Sequence, residues 1–343
     1  MGRSLWRYQR GRNQSRDKFH KAIQAYAWPV PSGLPDASSS AELAGLAAAT
    51  TTAVLWAASS MLYGRAGARL TAAWLNFVKG VIATILLGLT LLLLGKPLIG
   101  PIVHGPTWPI VVLAVSGIIG ISFGDTAYFG SIRRVGARQA ALLSLLSVPA
   151  ASAGGLLFLN ERLPILGVAG IAITVAGIAW VVLERPAKAA EPVPGHALLP
   201  GVLMGLGAAM CQAVGAVMNR SVIRTGEFDD LWTATWRLCA AALALTLFLP
   251  FFPRRPAGAD GSGRLWIYIL PAILMGSYAG IWLQQIALSR ADTGYVQTLF
   301  STTPIWILPM AMLAGERVTW RAALGSAVGL LGVVLLIYST RGA

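Results

Sequence analysis

The amino-acid sequence predicts an all-α membrane protein with ten transmembrane helices arranged as two inverted five-helix repeats. Three observations predict it. The chain is 56% hydrophobic and only 12% charged, with a positive mean hydropathy, whereas soluble domains carry roughly 25% charged residues. The apolar residues fall in runs close to the ~20 residues a helix needs to cross a bilayer, and they lack the period-two alternation of a membrane barrel. The chain also contains one pattern twice, as SLLSVPAASAGGLLFLNERLP and as LFSTTPIWILPMAMLAGERVT. An offset of 155 places Pro149 on Pro304, Glu161 on Glu316, Arg162 on Arg317, Gly170 on Gly325 and Gly177 on Gly332. A repeat of this length is architectural.

The runs are 43–63, 70–95, 108–130, 137–159 and 163–183, then 198–219, 231–252, 266–288, 293–314 and 319–339. Each half has an odd number of them, so the halves enter the membrane from opposite sides. Such a repeat places its substrate site near the bilayer midplane, between the halves. Residues 1–40 form a basic, aromatic-dotted tail, read as disordered, with a membrane-surface segment as the alternative. The first repeat occupies 41–183, a Pro- and Ala-rich linker 184–197, and the second repeat 198–340. The net charge of +14 would point to nucleic acid in a soluble protein. In this chain it fits basic loops beside anionic headgroups, so the partners expected are the lipid bilayer and a small-molecule substrate, with no nucleic acid. Cys211 and Cys239 read as small apolar side chains. No metal and no cofactor is expected, and monomer and homodimer both stay open.

In the first run Thr52, Trp56, Ser59 and Tyr63 share a helical face. The second run carries Asn76 and Lys79. The third carries Gly117, Gly120 and Gly124, with GxxxG spacing that permits close packing, then Asp125 and Tyr128. In the second half Gln212 and Asn219, then Trp232, Trp236 and Arg237, occupy the sixth and seventh runs. An offset of 158 lays Trp74 on Trp232 and Lys79 on Arg237. Tyr278, Trp282 and Gln285 share one face of the eighth run, and Tyr295, Thr298, Thr302 and Trp306 one face of the ninth. The final run carries a second GxxxG, Gly325 and Gly329.

Asp125 is an acid inside a spanning run and needs either a basic partner or a hydrated cavity. It reads either as a substrate or proton site, or as the structural partner of Lys79, Arg237 or Arg133. Lys79 and Arg237 read either as structural anchors or as an anion site. Glu161 and Glu316 cap the last helix of each half. Pro149 and Pro304 interrupt the backbone ladder in mid-run, as hinges or static kinks. Trp56, Ser59, Tyr128, Gln212, Asn219, Tyr278, Trp282, Gln285, Thr298 and Thr302 are the candidate lining of one central cavity, whereas Tyr63, Tyr295 and Trp74 sit at run ends as membrane-interface residues.

The stretches GDTAYFGSIRRVGARQAALLSLLSVPAASAGGLLFLNERL and QQIALSRADTGYVQTLFSTTPIWILPMAMLAGERVT each resemble an EamA domain of the drug/metabolite transporter superfamily. The resemblance covers about residues 43–340. It implies ten helices, a central cavity open alternately to each side, and export of amino acids, other metabolites or drugs. It also implies a bacterial inner-membrane location with both termini cytoplasmic, whereas the Lys and Arg of the loops alone favour an external N-terminus. Sugar-phosphate transporters of the superfamily supply an anion-exchanging alternative that would use Lys79 and Arg237. Asn160 stands where glycine often precedes the glutamate, and Gly280 falls opposite Asp125 at the offset of 155. An intramembrane enzyme would need a nucleophile–base pair or metal ligands, but no HExxH appears and the three His fall in the tail or loops. A channel would need a continuous polar lining.

Overall fold

A computed structural model describes residues 39–66, 70–151, 165–183, 195–223, 227–252, 265–290, 296, 299–315 and 319–339. Every regular element among the described residues is helical. The first half comprises α1 (Ser39–Ala66), α2 (Ala72–Leu93), the short α3 (Gly100–His104), α4 (Thr107–Gly117), a π-helical segment (Ile118–Asp125), α5 (Thr126–Ser144) and α6 (Ile165–Leu183). The second comprises α7 (Gly195–Ile223), α8 (Asp230–Phe248), α9 (Leu265–Ala272), a second π-helical segment (Ile273–Ala279), α10 (Gly280–Arg290), α11 (Thr303–Leu313) and α12 (Trp320–Ser339).

Six helices among the described residues are long and apolar enough to cross a membrane: Leu43–Ala66, Ala72–Leu93, Thr107–Ser144, Leu198–Ile223, Asp230–Phe251 and Leu265–Arg290. Their outer faces carry large exposed apolar side chains, such as Leu93, Leu247 and Phe251. Such broad apolar exposure fits a lipid environment and not water. The third of these spans bends at Gly136, whose φ of 85° only glycine adopts without strain. That bend separates the third and fourth apolar runs. The fifth, ninth and tenth runs appear as shorter apolar helices among the described residues.

Several boundaries differ from expectation. The first helix begins at Ser39, inside the expected tail, and α7 begins at Gly195, inside the expected linker. Pro200 lies within α7 without ending it. Neither repeat proline sits inside an unbroken helix. A turn at Leu145–Leu146 precedes the helical turn that holds Pro149, and a turn at Ser301–Thr302 precedes α11, in whose first turn Pro304 lies. Proline fits there because first-turn N–H groups lack intrahelical acceptors. Glu161 and Glu316, the expected helix caps, lie outside the described residues, as do Tyr295 and Thr298.

The halves interlock. α1 packs against α9, the second π-helical segment and α10, and α7 packs against α4, the first π-helical segment and α5. α2 packs on α8 and α6 on α12. One continuous core, including Leu75, Leu113, Phe129, Trp232, Leu238 and Ile273, draws side chains from both halves. The indole of Trp74 donates to the Phe252 carbonyl at 3.1 Å, and the indole of its counterpart Trp232 to the Leu98 carbonyl at 2.9 Å.

Candidate functional site

The two π-helical segments fall at matching places in the two repeats, and a glycine pair in or directly after each faces the first helix of the other half. A Cβ at Gly124 would lie 3.2 Å from the Cys211 Cβ, and one at Gly280 would lie 2.8 Å from the Trp56 Nε1. Gly120 faces Gly215 and Gly276 faces Ser59. These contacts set a local offset of 156, not 155, so Ile281 rather than Gly280 stands opposite Asp125.

A π turn also changes which N–H reaches which carbonyl, and side chains meet these carbonyls here. Asn76 donates through Nδ2 to the carbonyls of Ile121 at 2.7 Å and Ser122 at 3.1 Å, and to the Thr126 hydroxyl at 2.9 Å. Gln212 Nε2 donates to the Gly120 carbonyl at 3.3 Å, and Trp56 Nε1 donates to the Gly276 carbonyl at 3.1 Å. In both copies, therefore, a side chain from the opposite half holds the glycine carbonyl.

Asp125 ends the first π-helical segment, beside these donors. Its Oδ2 is ion-paired with Lys79 Nζ, and its Oδ1 accepts from Gln212 Nε2 at 2.9 Å. Lys79 is only 3% exposed and its Nζ lies 5.3 Å from the centre of the Phe129 ring. The hydrogen-bonded charge pair and an aromatic face together offset the desolvation of the ammonium. Arg237 is also buried, and its Nε donates to the Ser116 hydroxyl at 3.0 Å, one turn before the Gly120 it faces. Two cations and one carboxylate thus line one side of helix α4 and its π continuation, with Gln212 joining the acid to the second half.

The remaining candidates are inward-facing but not all in one place. Tyr128 shares a hydrogen bond with Ser60 at 3.1 Å, Tyr278 with Thr90 at 2.9 Å, and the Tyr278 ring lies 6.0 Å from Trp282. Ser59 donates to the Trp56 carbonyl at 3.0 Å. Asn219 and Gln285 are buried, with Asn219 Oδ1 and both polar atoms of Gln285 lacking a partner among the described residues. Thr302 instead serves its own turn, donating to the Leu299 carbonyl and accepting from Trp306. Tyr63, expected at the membrane interface, is 4% exposed and shares a hydrogen bond with Ser277 while its ring packs on Phe129. A pocket of about 280 Å³ lies beside Met61, Arg65 and Ala137 and another of about 410 Å³ between α2 and α8, and none of the candidate lining residues borders either one.

Sequence reasoning missed Ser60, Thr90, Ser116 and Ser277, whose hydroxyls are unremarkable until the fold supplies their partners. It also missed the second glycine pair, although Gly276 and Gly280 carry the same spacing as Gly120 and Gly124.

Comparison with known proteins matches this architecture. A search of curated proteins finds no match. A solved structure described only as "Crystal structure of protein" superposes with a TM-score of 0.62 at 21% identity, covering 89% of this chain and 98% of that one. At that identity the likeness shows the fold. The model of the EamA-like transporter family matches twice, over residues 43–183 and 199–338, which are the two repeats. With its apolar spans and paired repeats, the chain is an integral, multi-pass membrane protein of the drug/metabolite transporter superfamily and belongs to the EamA-like transporter family.

Proposed function

We propose that the chain exports a small metabolite by alternating access, with its ten helices forming two inverted halves that rock about the polar centre. The observation that carries this reading is Asp125, ion-paired to Lys79 of its own half and hydrogen-bonded to Gln212 of the other. A rocking motion between the halves must stretch or exchange the Gln212 bond while the Lys79 pair stays within its half. The inverted relation is supported by α6 and α12, which run antiparallel and meet through repeat-equivalent residues. A two-fold axis relating antiparallel spanning helices lies in the membrane plane. Asp125 is also the candidate to carry a coupling proton, because a carboxylate held between a lysine and an amide changes its environment when either bond breaks. The location proposed is the bacterial inner membrane, with both termini cytoplasmic.

The test is reconstitution of the full chain in proteoliposomes, with a screen of amino acids, purines and cationic drugs. Saturable uptake with counterflow supports a carrier. Flux that is unsaturable and shows no counterflow sinks it in favour of a channel.

A further inference from the structure

We propose that the groove between α2 and α8 holds one acyl chain of a zwitterionic membrane phospholipid, with its headgroup at the Lys96–Asp229 pair. The groove lies on the seam between the halves, apart from the polar centre, and does not depend on the transport reading. It has a volume of about 410 Å³. Its α2 wall runs from Thr84 to Leu92, about 12 Å by helical rise, which suits an extended chain. Ile85, Leu89 and Leu92 on that wall, and Ile99 just before α3, are each more than half exposed. In a spanning helix such faces meet hydrocarbon, so the groove is continuous with the lipid-facing surface. The α8 wall is Trp232, Thr235, Trp236 and Cys239. Trp232 and Trp236 donate through Nε1 to the carbonyls of Leu98 and Ile110, both at 2.9 Å. The hydroxyls of Thr84 and Thr235 donate to the carbonyls of Gly80 and Leu231, both at 2.7 Å. These four donors are spent inside the protein, so a polar metabolite would leave acceptors unpaired there, whereas an acyl chain loses nothing.

The repeat supplies an internal comparison. The offset of 158 lays Gly88 on Thr246 and Thr235 on Phe77, so larger side chains stand at these two places of the equivalent seam. At Gly88 an added Cβ would meet nothing within 4 Å. Phe77 instead meets Trp74 edge-on, with ring centres 6.0 Å apart. The end of the groove at Trp232 carries charge. Asp229 Oδ1 accepts from the Trp232 backbone N–H at 3.3 Å, and its Oδ2 pairs at 2.5 Å with Lys96 Nζ, two residues before the groove-lining Leu98. The two side chains are 39% and 41% exposed. Such an exposed pair contributes little and exchanges partners at small cost. A zwitterionic headgroup presents a phosphate to Lys96 and an ammonium to Asp229. Asp230 lies within electrostatic reach of Lys96, Asp229 and Arg290, so this end holds both signs with no excess of cations among these four, which disfavours an anionic headgroup.

The experiment uses the full chain in proteoliposomes doped with phosphatidylethanolamine or phosphatidylglycerol, each carrying a photoreactive diazirine in mid-chain, and mass spectrometry locates the crosslinks. Phosphatidylethanolamine is expected to label residues 84–92 several-fold more than the equivalent stretch 242–250, and phosphatidylglycerol to show less enrichment. Gly88→Phe fills the groove from a position with open space and should abolish the enrichment without lowering the melting temperature. Thr235→Phe, which imports the equivalent seam's own residue, is a second filling variant and should do the same. Asp229→Asn keeps a good helix cap and removes the charge, so it should erase the preference between the two lipids while labelling of the groove persists. The proposal is overturned if labelling is no denser at 84–92 than at 242–250, if the folded filling variants leave it unchanged, if phosphatidylglycerol labels the groove as strongly as phosphatidylethanolamine, or if Asp229→Asn keeps the preference. It is also overturned if copper-phenanthroline oxidation joins two chains through Cys239, which would assign the groove to a second copy.

Discussion

Gly177 and Gly332 make the same contact from opposite sides of one interface. A Cβ on Gly177 would lie 2.5 Å from the Gly329 nitrogen and 2.9 Å from the Gly325 carbonyl oxygen. A Cβ on Gly332 would lie 2.5 Å from the Thr174 nitrogen and 2.6 Å from the Gly170 carbonyl oxygen. The offset of 155 converts one set of neighbours into the other. In each case a late residue of one helix meets earlier residues of its partner, so α6 and α12 are antiparallel. Backbones approach this closely only where no side chain intervenes.

Because each contact is the image of the other, Gly177→Ala and Gly332→Ala should destabilise by similar amounts. Overpacking against backbone costs about 1–3 kcal/mol. Gly207→Ala, where an added Cβ meets nothing within 4 Å, should be neutral or slightly stabilising. Thermal melting in detergent checks all three, and a silent change at either of the first two would break the mirror relation.

Lys79→Met should be strongly destabilising, by about 3–5 kcal/mol, because it strands the Asp125 carboxylate in a membrane interior. The double variant Lys79→Met/Asp125→Leu should recover most of that loss, since an apolar pair carries no desolvation cost. A double-mutant cycle on melting free energies reads the coupling. Additive losses would mean that the pair is not a unit.

Asp125→Asn preserves shape and keeps an acceptor for Gln212 while removing the charge. Counterflow of substrate is expected to persist and uptake driven by an imposed pH gradient to disappear. Proteoliposome flux with and without the gradient measures this. Full pH-driven uptake by the variant would remove the proton from the mechanism.

Asn76→Leu should cost about 1–3 kcal/mol, the range for leaving a buried acceptor without its hydrogen bond. The carbonyls of Ile121 and Ser122 lose their donor inside the membrane span. Hydrogen exchange across Ile118–Thr126 should quicken relative to Ile273–Gly280, where Trp56 still holds its carbonyl. Equal protection of both segments would show that Asn76 does not stabilise the π turn.

The sequence by itself determined the class of protein and its internal repetition. Twenty-residue apolar runs admit few structures in lipid, because every backbone polar group must be satisfied internally. The Pro, Glu-Arg and Gly pattern recurs at one spacing, and Lys79 and Arg237 were recognisable as equivalents by counting residues. Only the tertiary structure decided how these equivalents differ. Asp125 could be matched to Lys79, Arg237 or Arg133 on the page, and the choice of Lys79 follows from how α2 approaches the π-helical segment. The glycine pairs Gly120/Gly124 and Gly276/Gly280 carry the local offset of 156 in the sequence, and the contacts each pair makes with the first helix of the other half decide that Ile281 stands opposite Asp125. Tyr63 sits near the end of its run, yet it is buried because α9 and the second π-helical segment pack across it from the other half. Contacts between distant parts of a chain carry no local signature, and in this protein the polar centre is built almost wholly from such contacts.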